Sequence, residues 1–246
     1  SYSTGQADGP PTLPPIALAD SVCALHSVFA TVAALYWRDA GGGTGQYIDA
    51  AILEAMFALM GDVVTRYHAD GSLYRRNGNT SRMTVPRNTY ETADGRWVAL
   101  SGSTETIARR ILSIVDEDLN MDLLGDERFQ TMDARIEHAD ELDAIIAAWM
   151  ERHDRAEIVE RFTDREAALA PVYNMRDIFA DEHFEARDAI LDVEDDGVYD
   201  ATGDAADDET SDAADGETVA MRGVVPRLSE TPGRVDHAGP ELGAHA

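Results

Sequence analysis

Residues 8–55 read DGPPTLPPIALADSVCALHSVFATVAALYWRDAGGGTGQYIDAAILEA, and their order of loop, acidic residue, apolar helix and glycine turn decides the fold. The lead-in, residues 5–15, holds four prolines and two glycines; proline neither continues a helix nor donates to a ladder, so this stretch is a loop. From Ser21 to Arg38 the side chains Val22, Leu25, Phe29, Val32, Ala33 and Tyr36 recur at three- and four-residue spacing, the period of an amphipathic helix. The run Gly41 to Gly45 ends that helix. A second helix is expected from about Ile48 to Tyr67, with Ile52, Met56, Leu59, Met60 and Val63 on one face and Gly71 as its stop. Asp20 stands just before the first helix, where a carboxylate N-caps by accepting from free backbone N–H groups.

Farther along, residues 75–87 are polar and irregular. Residues 88–102, NTYETADGRWVALSG, read as a hairpin of Thr89–Thr92 and Trp97–Ser101 turning at Asp94-Gly95. Helical periodicity occupies residues 105–115, 140–153 and 155–169, and Val172 to Arg187 is expected to hold a short strand or turn and a helix starting near Met175. Between Glu194 and Glu217 lie eleven acidic residues and no basic one, a composition with too little apolar surface to order itself and therefore read as an insertion or loop. The remainder is turn-rich and expected to run extended over another surface.

Composition narrows the function. At 246 residues with 44% hydrophobic side chains, the chain can bury a sizeable core. Its 47 acidic against 20 basic residues leave a net charge of -27, which disfavours nucleic acid and anionic membranes as partners. Every basic residue is arginine, and lysine is absent. Together these features indicate salt adaptation, because at molar salt the Debye length falls to roughly 3 Å and carboxylate repulsion is screened. With Cys23 alone, neither an intrachain disulfide nor a multi-cysteine metal site can form, and a reducing cytoplasm fits. The seven histidines show no zinc-like spacing, so no metal is expected. No unbroken apolar run of about 18 residues and no signal pattern is evident.

Asp20 has two readings. A plain cap is one. The other is a nucleophile, since the helix dipole and terminal N–H groups favour an ionised carboxylate, and an ionised carboxylate can attack a thioester. His26, one and a half turns on, faces that group or packs. Arg75 and Arg76, beside Asn77-Gly78, could meet a substrate carboxylate or a phosphate, or remain solvated. The glycine run 41–43 lacks a Walker lysine and reads as a helix end.

Residues 8–55 closely resemble the central stretch of class III CoA-transferases, the superfamily of carnitine CoA-transferase, bile-acid-inducible protein F and formyl-CoA transferase. The likeness continues through RRNGN at 75–79, PRNTYETADGRWVALSGST at 86–104, LAPVYNMRDIFADEHFEAR at 169–187 and PRLSETPGRVDHAGPELGAH at 226–245. The resemblance implies an α/β fold in an interlaced homodimer, each subunit combining a Rossmann-like large domain with a smaller α+β domain. On that pattern residues 1–70 form the rear of the large domain, 71–190 the small domain, 191–218 the acidic insertion and 219–246 a tail returning to the large domain, with the front of the Rossmann half missing. The resemblance puts the catalytic carboxylate at Asp20 and candidate substrate or CoA contacts at Arg75, Arg76, Asn77, Gly78 and His26. It implies an acyl-CoA and a small carboxylic acid as partners, with no permanently bound cofactor and a coenzyme A thioester as substrate. Succinate, mesaconate and malate derivatives or carnitine-like acids are the acids it suggests. Residues 78–87, GNTSRMTVPR, depart from the glycine-rich loop of formyl-CoA transferase. An acyl-CoA racemase of the same superfamily, using Asp20 as acid and base at the alpha carbon, and a noncatalytic acidic binding module are the alternatives.

Overall fold

The computed structural model describes residues 3–81, 83–194 and 218–239. Two compact units divide the chain, residues 1–171 and 172–246.

The first unit opens with three helices. Helix α1 spans Leu18–Asp39, α2 Ile52–Ala58 and α3 Val63–Asp70. The expected second helix is thus two shorter ones, because Gly61 takes a left-handed conformation with φ +63° that interrupts the ladder. Gly71 does stop α3, with φ +76° and its N–H on the Tyr67 carbonyl. The glycine run after α1 closes over Trp37: the N–H of Gly43 donates to the Trp37 carbonyl, and a Cβ on Gly43 would lie 2.0 Å from the indole nitrogen.

Strands β1 (Arg87–Glu91) and β2 (Trp97–Ser101) pair antiparallel, with Tyr90 opposite Val98. Their turn is the expected one, with Gly95 at φ +69° and its N–H on the Thr92 carbonyl. Strand β3 (Leu169–Pro171) joins the other edge of β2, pairing Leu169 with Leu100. The third expected helix therefore ends early: Glu166 adopts φ +49°, and the chain turns into the sheet. Alternation along β2 buries Val98 and Leu100 and leaves Trp97 and Ala99 outside the core.

Helices α4 (Glu105–Leu119), α5 (Met132–Glu137), α6 (Ala139–Met150) and α7 (Arg155–Asp164) cover that sheet. Their core joins Ile111, Leu112, Ile146, Trp149, Ile158 and Phe162 with Tyr90, Val98 and Leu100. Hydroxyl caps start two of them, Thr104 accepting from the Ile107 N–H and Thr131 from the Ala134 N–H.

The second unit contains α8 (Met175–Phe179), opened by a capping box of Asn174 and Asp177, then α9 (Glu182–Ala186) and an antiparallel pair, β4 (Ile190–Glu194) and β5 (Thr218–Arg222). The two strands flank the acidic tract, so residues 191–194 and 218, expected within the insertion, are ladder instead. Alternating Val193, Val219 and Met221 supplied a strand pattern that the surrounding acids obscured. Residues 195–217 lie outside the described residues. Both sheets are antiparallel.

One expectation requires correction. Among the described residues, α1 is long and apolar enough, by length and composition, to cross a membrane. Its two serines, Thr31 and His26 break up any apolar run without making the helix polar, and the same property marks core helices of soluble proteins and signal sequences.

Candidate functional site

Asp20 is not a cap. Helix α1 starts earlier, at Leu18, with Ala17 as the capping residue and no side chain closing the first turn. Asp20 is the acidic residue of that first turn, exposed and free of hydrogen bonds and ion pairs among the described residues. The shift of position preserves the electrostatics: a carboxylate in the first turn still faces the positive end of the helix dipole. The first-turn Ser21 N–H is bound to the Ala17 carbonyl at 3.0 Å.

His26 turns back onto its own helix. Its Nδ1 lies 2.9 Å from the Val22 carbonyl, and its ring meets Phe29 edge-on. No hydrogen bond links it to Asp20. Cys23 reaches toward the Ala50 carbonyl at 3.9 Å, on the side where α1 meets the start of α2.

Arg76, Asn77 and Gly78 lie together against the lead-in loop. The Gly78 N–H donates to the Gly5 carbonyl at 2.9 Å, and Arg76 Nε points at the Gln6 carbonyl at 3.4 Å. Gly78 has φ +62°, a left-handed conformation that favours glycine, and a Cβ there would meet only the end of the flexible Gln6 side chain, 2.6 Å from its Oε1. Asn77 Nδ2 bridges to the Thr80 carbonyl at 2.6 Å and closes a tight turn. Arg75 is exposed with no partner among the described residues. The fold thus brings three of the six expected residues to the segment that leads into Asp20, while His26 engages its own helix.

The reading of the sequence missed Gly5 and Gln6 as the surface that receives the RRNGN turn. Their signal was modest, a glycine three residues ahead of Asp8, where the DGPP stretch begins. It also missed the packing at the far end of residues 77–85, where the fully buried Arg135 guanidinium pairs with Glu105. A cavity of about 680 Å³ opens in the same unit between α2, α3 and residues 72–83, lined by Met56, Phe57, Met60, Tyr74 and Met83. None of the six expected residues lines it. Arg66 at its border donates Nε to Asp62 at 2.6 Å. Among the described residues no group of three His, Cys, Asp or Glu side chains is placed to hold a metal ion.

Among the described residues the first unit thus sets a helix opening on a free carboxylate in the same unit as an Arg-Asn-Gly turn that rests on the lead-in loop. The chain belongs to CoA-transferase family III, whose family model matches residues 1–246. It is 34% identical over 242 residues to a succinyl-CoA–D-citramalate CoA-transferase of Chloroflexus aurantiacus, covering 98% of this chain and 55% of that protein. It is 32% identical to a succinyl-CoA:mesaconate CoA-transferase of Haloarcula hispanica, covering 79% of this chain and 47% of the relative. A CAIB/BAIF family protein from Brucella suis shares the fold, with TM-score 0.73 and 24% identity over 99% of this chain and 57% of that one. The chain spans about half the length of the curated relatives it matches.

Proposed function

We propose that the protein containing this chain transfers CoA from an acyl-CoA, succinyl-CoA in the first instance, to a small carboxylic acid, with Asp20 as the nucleophile. The observation that carries the reading is the free, exposed carboxylate in the first turn of α1, in a chain whose relatives are named as succinyl-CoA-dependent transferases. The Asp20 carboxylate attacks the thioester carbonyl; the C–S bond breaks, and CoA thiolate leaves a mixed anhydride. The thiolate then attacks the aspartyl carbonyl, releasing the first acid as a carboxylate and leaving an aspartyl-CoA thioester. An incoming carboxylate displaces the thiolate to form a second anhydride, and the thiolate returns to the new acyl carbonyl. This yields the product thioester and restores Asp20. Covalent catalysis splits one hard step into easier ones, and each tetrahedral step needs donors aimed at the developing oxyanion. The candidates are backbone N–H groups of the α1 start and those of residues 78–86 that are not already donating within the loop, with Arg75 and Arg76 as contacts for substrate carboxylate or phosphate.

The racemase alternative loses ground at Glu105. Glu105 falls close to, but offset from, the glutamate that follows the strand in the racemase pattern, and here one of its oxygens accepts from Arg135 Nη2 at 2.9 Å and the other from the Met132 N–H at 2.8 Å. On the same reading residues 1–70 belong to the large domain, 71–190 to the small one and 219–246 to a returning tail, in a cytoplasmic, salt-adapted, interlaced homodimer. The apolar residues that α1–α3 leave exposed, among them Phe29, Tyr36 and Leu53, are a surface for such an assembly to cover.

The test is trapping. Full-length enzyme incubated in high salt with succinyl-CoA and hydroxylamine should yield a hydroxamate on Asp20, seen by mass spectrometry, and Asp20→Asn should lose transfer almost completely. Exchange of the alpha proton with solvent, without a trapped hydroxamate, makes the enzyme a racemase.

A further inference from the structure

We propose that Arg135 is a positioning residue for CoA transfer, fixing one end of the loop 77–85 whose other end is fixed by the segment leading to Asp20. The inference rests on the reading of Asp20 and of residues 78–86 given above, and adds to it a residue remote from the chemistry.

The geometry is unusual for a purely packing role. Arg135 has no exposed side-chain surface, and its guanidinium donates in three directions: Nε to the Val85 carbonyl at 2.8 Å, Nη1 to the Phe129 carbonyl at 2.9 Å and Nη2 to Glu105 at 2.9 Å. Three residues before it on α5, Met132 presents its sulfur to the Val85 N–H at 3.3 Å. Both backbone polar groups of Val85 are therefore held from one short helix. Burying a charge is a poor route to stability, since apolar residues of similar volume commonly do as well or better. What the planar guanidinium supplies is a fixed fork of donors.

The loop is built to transmit that position. Asn77 and Thr80 bond each other reciprocally, Asn79 Nδ2 reaches Thr89 Oγ1 at 2.7 Å, and Ser81 Oγ accepts from the N–H groups of Met83 and Thr84. At its near end the Gly78 N–H holds the Gly5 carbonyl, in a left-handed backbone conformation that favours glycine. Thr84 Oγ1, beside the pinned Val85, is buried without a hydrogen-bond partner, a cost that folding tolerates when the surrounding structure dictates the conformation. On this proposal a shift of Val85 is felt at the 77–80 turn, which rests on Gly5 and Gln6 of the lead-in loop.

Arg135→Lys in the native full-length enzyme tests this, because lysine keeps the charge near Glu105 but cannot serve the Val85 and Phe129 carbonyls together. Displacements of about 1 Å from remote sites can lower turnover on the order of 100-fold, so kcat should fall by roughly that factor while the donor KM stays within about threefold. The rate of Asp20 acylation in a single turnover should fall with kcat. An unchanged kcat in folded Arg135→Lys overturns the proposal, and so does a loss of activity that only matches the loss of folded protein in a thermal melt. If Arg135→Lys does not fold, Met132→Leu decides: it preserves volume but leaves the Val85 N–H without its acceptor, and lowered kcat at unchanged KM supports the assignment whereas wild-type kcat overturns it. Failure of the underlying reading is visible separately, as CoA transfer by Asp20→Asn, and it removes the basis of this inference as well.

Discussion

Helix α1 has 22 residues and buries one, Val22, whereas α4 has 15 and buries five, Ala108, Ile111, Leu112, Ile114 and Val115. Both carry enough apolar side chains to form a core, so the difference does not lie in composition. In α4 the buried residues form one stripe, and the sheet and three further helices stand opposite it. In α1 the residues Leu25, Val28, Phe29, Val32, Leu35 and Tyr36 also recur three and four apart and so share one face, yet they are exposed. An apolar stripe of that width normally faces a core, so what α1 lacks among the described residues is a surface opposite it. For residues 85–171 the sequence supplies both sides of the interior; for residues 18–70 it supplies one. The pattern that predicts a helix says nothing about who covers it.

Truncation of large side chains breaks or confirms this contrast most directly. Trp149 is fully buried and donates its indole N–H to Asp118 at 2.7 Å, so Trp149→Ala should cost about 3–5 kcal/mol in denaturant unfolding. Phe29→Ala on α1, where the ring is 69% exposed, should stay within about 0.5 kcal/mol in the same experiment on this chain. Equal costs would mean that α1 is packed in solution, and the contrast would collapse. In the full-length enzyme the Phe29 cost should rise, because the exposed face is then expected to be covered.

Salt comes next in size. With a net charge of -27 and no lysine, raising KCl from low to multimolar concentration should stabilise the fold by about 2 kcal/mol, or roughly 4–8 °C in midpoint for a chain of this length. Identical midpoints in a thermal melt at the two salt levels would remove the halophilic reading.

A smaller effect bears on how the fold was written in the sequence. The α1 periodicity, the Asp94-Gly95 hairpin turn and the Gly71 stop were legible because each depends on residues within a few positions of one another. Helix α5 was not, since MDARIE has too few residues to show a period, and only Thr131 marks its start. Thr131→Ala should cost about 1 kcal/mol, measured by chemical denaturation, and should loosen the helix that carries Arg135. The break between α2 and α3 was hidden for the opposite reason: Gly61 sits inside a convincing apolar repeat, and a single glycine stops a helix only when tertiary contacts favour the left-handed turn. Of the candidate site, the residue types and the Asp20 helix were readable. The pairing of Gly78 with Gly5, or of Arg135 with Val85 some 50 positions away, was not, because long-range backbone contacts leave no local signal.

The subtlest distinction between the two regions is acid sensitivity. Asp118, at the end of α4, accepts from Arg161 Nη1 at 2.8 Å and from Trp149 Nε1, and faces His153 Nε2 at 3.3 Å. The Arg161 hydrogen bond, above all, holds this carboxyl below its ordinary range against the opposing effect of burial. A folded-state value below the unfolded one of about 3.9 means that the carboxylate adds stability above that pH and loses it as pH falls through the folded value. The side chain is 38% exposed, so solvent screens the pair and the contribution is small. Urea unfolding of wild type and Asp118→Asn should therefore differ at pH 7 and converge toward pH 3. Other acids whose values are lowered, such as Asp94 and Asp126, also weaken the fold in acid, which is why only the difference between the two proteins isolates this carboxylate. A gap that stays constant with pH would place the difference in packing or in the fit of the amide to Arg161 and Trp149, rather than in the Asp118 charge.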